Sequence, residues 1–417
     1  MSLHPRTLSA AILVAGTCIG GGMLALPVAC SQAGYLPSIA FMCVAWAAMT
    51  ITALYFLEAG FWVKKKDAHV ITLSGELLGP WAQKVCWVLF PFVSYASVIA
   101  YTAAGGHLIA QAISLLGIPI AKEFGCLLFV LIFGPALAVR HEILGKLNGI
   151  LFTVMILAYV ALIIFGTSGI QVDLLYRSEW SYGHYALPLL LTAFSFQTMV
   201  PSLHPYLDHN KRSLFISVVA GTFIALIVFI IWQTVVFGSV PLDGPYGLQE
   251  AHRLGQPATY SLGKMTGSIF VGVSATIFAF FALVTSFFGM GLGLFDFLQD
   301  GLSIKKNRWG NFKTCLMILI PCIVFSIGFE RIFLEALDLS GGFGDTILNG
   351  LIPVLMIWVG RYLLRRGDAG FPRISSKPVL IAVFIFYLYA IGIEIGSRFK
   401  GPSEDIREET VQEIEKL

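Results

Sequence analysis

Residues 15–27 read AGTCIGGGMLALP, four glycines and a proline in thirteen positions, set between flanks as apolar as a bilayer interior. Three readings compete for such a stretch. A dinucleotide-binding turn would need G-x-G-x-x-G and an acid about 20 residues on, but Gly20 and Gly22 give only G-x-G, Ala25 ends the pattern, and Glu58 is the first acid of the chain. No Gly-Lys-Ser/Thr ending follows, so a P-loop is excluded as well. A secretory signal fits Arg6 and the small residues of PVAC, yet the run lacks a leading cluster of charge and Pro27 stands where a lipoprotein signal wants a leucine-like residue. The third reading is a membrane helix weakened at its middle. Glycine costs about 1 kcal/mol against alanine inside a helix, and three in a row at 20–22 make unwinding cheap. Close helix packing through small residues is the alternative use of the same glycines.

Composition decides the surroundings. Of 417 residues, 57% are hydrophobic and only 12% charged, against roughly 25% charged in an average chain. Mean hydropathy is +0.81. A polytopic membrane protein disposes of this much apolar surface, with the lipid bilayer as its solvent. The net charge of +3 is too small for a nucleic-acid footprint. Seven cysteines lie in or beside apolar stretches without C-x-x-C or zinc-type spacing, so they read as small hydrophobes and no metal is expected from them.

A membrane helix needs about 20 mainly apolar residues. That ruler gives eleven spans, at 7–29, 35–62, 86–114, 124–139, 148–168, 185–204, 213–237, 267–295, 314–328, 341–362 and 378–397, the fourth and ninth being short. With the N-terminus inside, 18 of the 27 Lys and Arg fall on inner segments, among them Arg6, Lys64 to Lys66, Arg140, Lys211, Arg212, Arg361 and Arg373. Only Lys122, Arg177, Arg253, Lys264 and Arg331 fall in outer loops. Positive-inside bias of this strength places the N-terminus in the cytoplasm and the C-terminus outside. Losing one span would destroy it. The whole chain is one polytopic domain, and its last segment, 401–417, is an acidic, solvated outer tail.

The sixth span, YALPLLLTAFSFQTMVPSLHPYL, is interrupted too, by Pro188, Pro201 and Pro205 around Ser195, Gln197 and Thr198. Paired broken helices at matching positions mark the binding site of inverted-repeat transporters, and spans one and six are the positions a five-plus-five repeat would break (1–170 and 185–362). Freed N–H groups at a half-helix start can hold a carboxylate, and freed carbonyls can take an ammonium, so an α-amino acid fits. The candidate site is therefore Gly16, Thr17, Ile19, Gly20, Gly21 and Gly22 of span one with Phe194, Ser195, Phe196 and Gln197 of span six. Tyr95 and Tyr101 of span three are aromatic neighbours for an aromatic side chain, or simply fill the bundle core.

Four blocks carry a family resemblance. VAGTCIGGGMLALP in span one, TALYFLEA ending span two, SFQTMVPSL in span six and ALVTSFFGMGLGLFDFLQD in span eight resemble the bacterial hydroxy/aromatic amino acid permeases, over residues 7–395. Within that family the pattern is most like the tyrosine-specific members. The resemblance implies an all-α fold of the leucine-transporter type in the APC superfamily, eleven transmembrane helices with the first and sixth broken, in a bacterial inner membrane. It also implies proton-coupled import of an aromatic amino acid, tyrosine favoured, with H+ as coupling ion and no cofactor. One position departs: Gln197 stands where members usually carry histidine, and glutamine hydrogen-bonds a phenol without carrying a proton.

Ionisable residues inside spans are functional suspects. Glu58, His107 and Asp345 are coupling candidates, against structural roles as a helix-orienting acid, a satisfied interfacial histidine and a helix-start acid. Glu394 reads as interfacial. Thr285 and Ser286 in span eight form a hydroxyl pair of the kind that completes a cation site in sodium-coupled relatives of the fold, so Na+ near Gly16, Ile19, Thr285 and Ser286 stays open. Back-bonding of those hydroxyls to their own helix is the alternative. A passive pore would need a continuous polar face on several helices, and a membrane enzyme would need clustered catalytic groups. Neither pattern is present, and nothing in the sequence sets an oligomeric state.

Overall fold

The computed structural model describes residues 3–63, 69–138, 141–329, 331–367 and 374–399. The expected acidic tail at 401–417, and Lys64 to Lys66, Arg140 and Arg373 of the charge bias, lie outside the described residues. Within them the chain is helical throughout, with one isolated bridge between Gly34 and Ser178. Helices suit this composition because they satisfy every backbone polar group internally, which a bilayer core requires.

Nine of these helices are long and apolar enough to cross a membrane: Tyr35–Trp62, Pro80–Ser114, Ile143–Gly169, Trp180–Tyr206, Lys211–Ser239, Ile269–Gly301, Arg308–Gly328, Ile332–Leu363 and Lys377–Phe399. Thr7–Cys18 and Gly21–Ala29 make a tenth, bent by 53° at the glycines. The length criterion thus gives ten crossings and not the eleven expected. The shortfall is the fourth, where Lys122–Phe133 is followed by a tight turn of helix at Gly134–Ala138. Pro135 lies in that turn and cannot donate to a regular ladder. The short element nevertheless lies along its neighbours for most of its length. At one end Gly125 abuts the Gly106 carbonyl, Gly134 faces Leu319 midway, and Leu137 lies against Gly291.

Local signals set the helix starts. Asn210 and Asn307 cap spans seven and nine by accepting from the N–H groups of Ser213 (3.1 Å) and Gly310 (2.8 Å). Pro80 opens span three, where its missing N–H costs nothing. Span ten starts at Ile332 and not at 341, because the stretch holding Glu335 and Asp338 continues the helix. It then winds through Ser340–Leu351 as a π-helix, a wider winding that occurs often at functional sites.

The ends of the helices gather into two faces. On one, the His4 N–H donates to Ser213 Oγ (2.8 Å), Arg6 lies over Tyr206, and Lys211 lies over Phe61. On the other, Arg177 donates to the Ser31 and Gln32 carbonyls (2.7 and 2.8 Å), clamping the loop before span six onto the turn after span one. Gly34 in that turn has φ +81°, and a side chain there would run into the Arg177 carbonyl.

Candidate functional site

Both interruptions form and they face each other. In span one the helix stops at Cys18, Ile19 and Gly20 are extended, and a second helix begins at Gly21. In span six Leu187–Ala193 ends before Phe194, and a short turn at Gln197–Met199 leads into Val200–Tyr206. The second halves of span one and the first halves of span six are buried from Gly21 to Val28 and from Leu187 to Phe194. Around the breaks burial relaxes: Gly16, Ser195, Thr198, Met199 and Ser286 are half-buried, and Thr17 and Gly289 are exposed.

The glycines differ in what they touch. A methyl group on Gly20 would overlap the Ser286 hydroxyl of span eight. One on Gly21 would fall 2.5–2.7 Å from the ring of Tyr101. At Gly22 the same methyl would lie 3.5 Å from Ala193 Cα, ordinary contact with span six, and at Gly16 it would be 2.9 Å from the Phe152 ring of span five. The Gly21 N–H, freed by the break, donates to Ser286 Oγ at 2.9 Å. Trp232 of span seven holds the second half-helix by donating to the Met23 carbonyl (3.0 Å). Thr17 donates to the Leu13 carbonyl (2.8 Å) and touches Met199 Sδ at 3.0 Å, so it links the two breaks.

Asp345 is the polar centre of the assembly. The fully buried carboxylate accepts from Ser195 Oγ (2.5 Å), from Asn349 Nδ2 (2.6 Å) and, through Oδ2, from Ser340 Oγ (3.3 Å). Asn349 also donates to Ser195 Oγ (3.1 Å). This cluster joins the break of span six to the π-wound part of span ten. Gly341 reinforces the junction, since its missing side chain leaves room for the Pro188 carbonyl.

Several expected residues point elsewhere. Gln197 is fully buried and turned toward span two: its amide donates to the Met49 carbonyl (3.1 Å) and its oxygen accepts from the Phe196 N–H (2.9 Å). Tyr95 donates to the Met317 carbonyl of span nine (2.9 Å), while Tyr101 faces Gly21. Phe194 packs on Phe229 with ring centres 5.0 Å apart, and Phe196 is buried. Of the hydroxyl pair, Ser286 meets span one. Thr285 bonds back to the Phe281 and Ala282 carbonyls (2.8 and 3.2 Å) and faces Met155. Glu58 is remote from the breaks; it pairs with Arg361 Nε and accepts from Ser375 Oγ (2.6 Å), tying span two to span ten and the segment before span eleven. His107 pairs with Gln111 (2.7 Å) in a small cleft with Lys122 and Cys126.

Asn349, Ser340 and Trp232 were absent from the sequence-derived set. Asn349 was findable, because it follows Asp345 by one helical turn inside an apolar span, where paired polar side chains are costly unless they meet. No group of three or more His, Cys, Asp or Glu that could hold a metal occurs among the described residues.

Comparison with known proteins supplies the remaining information. A family model described as the tryptophan/tyrosine permease family matches residues 4–394. A protein of Haemophilus influenzae named tyrosine-specific transport system 1 is 29% identical over 359 residues, covering 85% of this chain and 88% of its own. The tryptophan-specific transport protein of Pseudomonas aeruginosa is 28% identical over 394 residues, covering 92% and 93%. The low affinity tryptophan permease of Escherichia coli is 27% identical over 357 residues, covering 83% and 85%. All three names are those of transport proteins, not enzymes.

Proposed function

The chain belongs to the tryptophan/tyrosine permease family, and from that premise we propose that it imports an aromatic amino acid, tyrosine favoured, by proton symport with alternating access. It is a multi-pass membrane protein of an aromatic amino acid permease family. The observation that carries the reading is the meeting of two broken spans, with Gly20 and Gly21 against Ser286 and Tyr101 and with Gly22 against Ala193. Bare backbone at this depth is tolerated where it lines a cavity or is buried in protein. N–H groups at the start of Gly21–Ala29 suit a carboxylate, and the carbonyls ending Thr7–Cys18 suit an ammonium.

The five-plus-five repeat with an eleventh helix follows if the short element 122–138 counts as a crossing. The bacterial relatives support an inner-membrane location, and the distribution of basic residues supports a cytoplasmic N-terminus. In that orientation the face holding His4, Arg6 and Lys211 is inner and the face holding Arg177 is outer. Relaxed burial at Gly16, Thr17, Thr198 and Met199 against tight burial at 21–28 and 187–194 fits a site open to the inner face.

Proton coupling is favoured over sodium by two placements. Asp345 is bonded directly to the break, and Thr285 turns to its own helix and Met155 and not to span one. Uptake of labelled tyrosine and tryptophan into proteoliposomes, with proton and sodium gradients imposed separately, tests the whole reading. Tyrosine accumulation driven by a proton gradient alone is expected. Failure to accumulate any aromatic amino acid overturns the transport assignment, and strict dependence on sodium overturns the proton half.

A further inference from the structure

Resting on this transport reading, the outer ends of spans ten and eleven hold a group that the substrate site does not use. Glu394 of span eleven is 1% exposed. Its Oε1 accepts from Arg398 Nε, one turn further on, at 2.8 Å. Its Oε2 is buried and has no hydrogen-bond donor among the described residues. Asp338 of span ten lies 3.6 Å from Nη2 of the same Arg398.

Two carboxyl groups, one from each span, thus share one guanidinium, and neither offers the other a donor. Like charges at such separation cannot both stay ionised without a large cost. One proton between them turns the repulsion into a hydrogen bond and satisfies the orphaned oxygen. A single acid would suffice to pair Arg398, so the second carboxyl is surplus to structure. We infer that Asp338 and Glu394 form a proton-binding site on the outer face that takes one proton from outside for each transport cycle.

Access and placement agree. The Asp338 side chain is 34% exposed while that of Glu394 is sealed at 1%, so Asp338 is the open side of the pair. The carboxyl end of Glu394 reaches span ten at Gly342, where any side chain would displace it. Gly342 belongs to the same π-wound segment as Asp345, which bonds the break of span six. Loading the pair therefore changes how span eleven seats on the segment that holds the substrate-site break.

Other ionisable groups on the elements packed against these helix ends are Glu335 and Asp345 of span ten, Tyr101 and His107 of span three, and His184 and Tyr185 before span six. Of these, Glu335 lies one turn before Asp338 on the same helix. The proton belongs to the pair and is not assigned to one oxygen.

The test uses the full chain in proteoliposomes. Each pH unit of gradient drives at most about tenfold accumulation per coupled proton. For Glu394→Gln, which fixes the neutral state, exchange of internal unlabelled for external labelled tyrosine should persist. Gradient-driven accumulation should fall to equilibration and lose its dependence on outer pH, and Asp338→Asn should do the same. Gradient-driven accumulation with an unchanged outer-pH profile in both variants overturns the site. Infrared spectra of the unaltered protein and of Asp338→Asn give a readout free of transport: a protonated-carboxyl band that titrates from the outer side and vanishes in the variant supports the pair, and an unchanged band overturns it. No tyrosine exchange in the unaltered protein would refute the transport reading instead, leaving the infrared band to decide the proton site.

Discussion

Alanine at position 20 should damage the site, and removing a second group should repair it. In the Gly20→Ala protein the new methyl overlaps Ser286 Oγ, so the hydroxyl must rotate away and give up the Gly21 N–H it accepts at 2.9 Å. Forced repacking of this kind costs about 1–3 kcal/mol, and the lost hydrogen bond adds about 1 kcal/mol. Ser286→Ala alone loses only the bond, about 1 kcal/mol. In the double variant the overlap is gone, because the Ser286 Cβ lies 3.6 Å from the new methyl, which is ordinary contact. The double should therefore cost about as much as Ser286→Ala, giving a coupling of about 2–4 kcal/mol. In binding of labelled tyrosine to detergent-solubilised protein, Gly20→Ala should weaken affinity about tenfold or more, and Ser286→Ala added to it should recover most of the loss. Gly22→Ala is the control, since its methyl meets Ala193 at 3.5 Å and should bind nearly as the unaltered chain does. Equal damage from Gly22→Ala, or no relief from Ser286→Ala, would refute the geometry.

Two further predictions concern the ends of the bundle. Glu58→Gln removes the carboxyl that pairs with the Arg361 guanidinium, 13% exposed; breaking a buried pair costs about 3–5 kcal/mol, so thermal unfolding in detergent should shift down markedly while proton coupling in the surviving fraction persists. Arg177→Ala removes two charged hydrogen bonds to the Ser31 and Gln32 carbonyls, each worth about 1.5–3 kcal/mol. Labelling of the buried Cys30 by a membrane-impermeant thiol reagent, with the other cysteines replaced, should rise at least about tenfold if that clamp closes the outer side.

The breaks were legible in the sequence because they are written in backbone chemistry: Gly20 to Gly22 lower the cost of unwinding, and Pro201 forbids a donor. Side-chain direction was less so. Tyr95 and Tyr101 are six residues apart on one helix, a rotation of about 240°, so both cannot face one site; only Tyr101 reaches Gly21. Thr285 and Ser286 are adjacent and about 100° apart, and accordingly one meets span one and the other its own helix. Gln197 could not be phased at all, since it follows a non-helical Phe196 and the helical period restarts there. The fourth span, read as short at 124–139, lies at 122–138, but an apolar run does not reveal where a regular helix gives way to a tighter turn. The start of span ten is hidden because Glu335 and Asp338 look like the end of a membrane segment, and the partner of Asp338, Arg398, lies on another helix.

The break of span six is held by two anchors of different kinds, and the difference bears on how such a site could switch. Residues 194–196 lack the regular ladder, so side chains fix their position. Gln197 bonds the Met49 carbonyl of span two and Ser195 bonds Asp345 of span ten. An amide neither gains nor loses a proton in the working range, so the first anchor is constant. The Asp345 carboxyl accepts three hydrogen bonds here, and on gaining a proton it must turn one acceptor position into a donor, which the Ser195 and Ser340 hydroxyls can answer only by turning while the Asn349 N–H cannot answer at all. On the proton-symport reading proposed above, the Asp345 contact is the one a proton would loosen while the Gln197 contact stays fixed. On that same reading, Gln197 in place of the expected histidine keeps its contact indifferent to pH and leaves the response to protons with span ten, which meets span eleven through Asp338, Arg398 and Glu394.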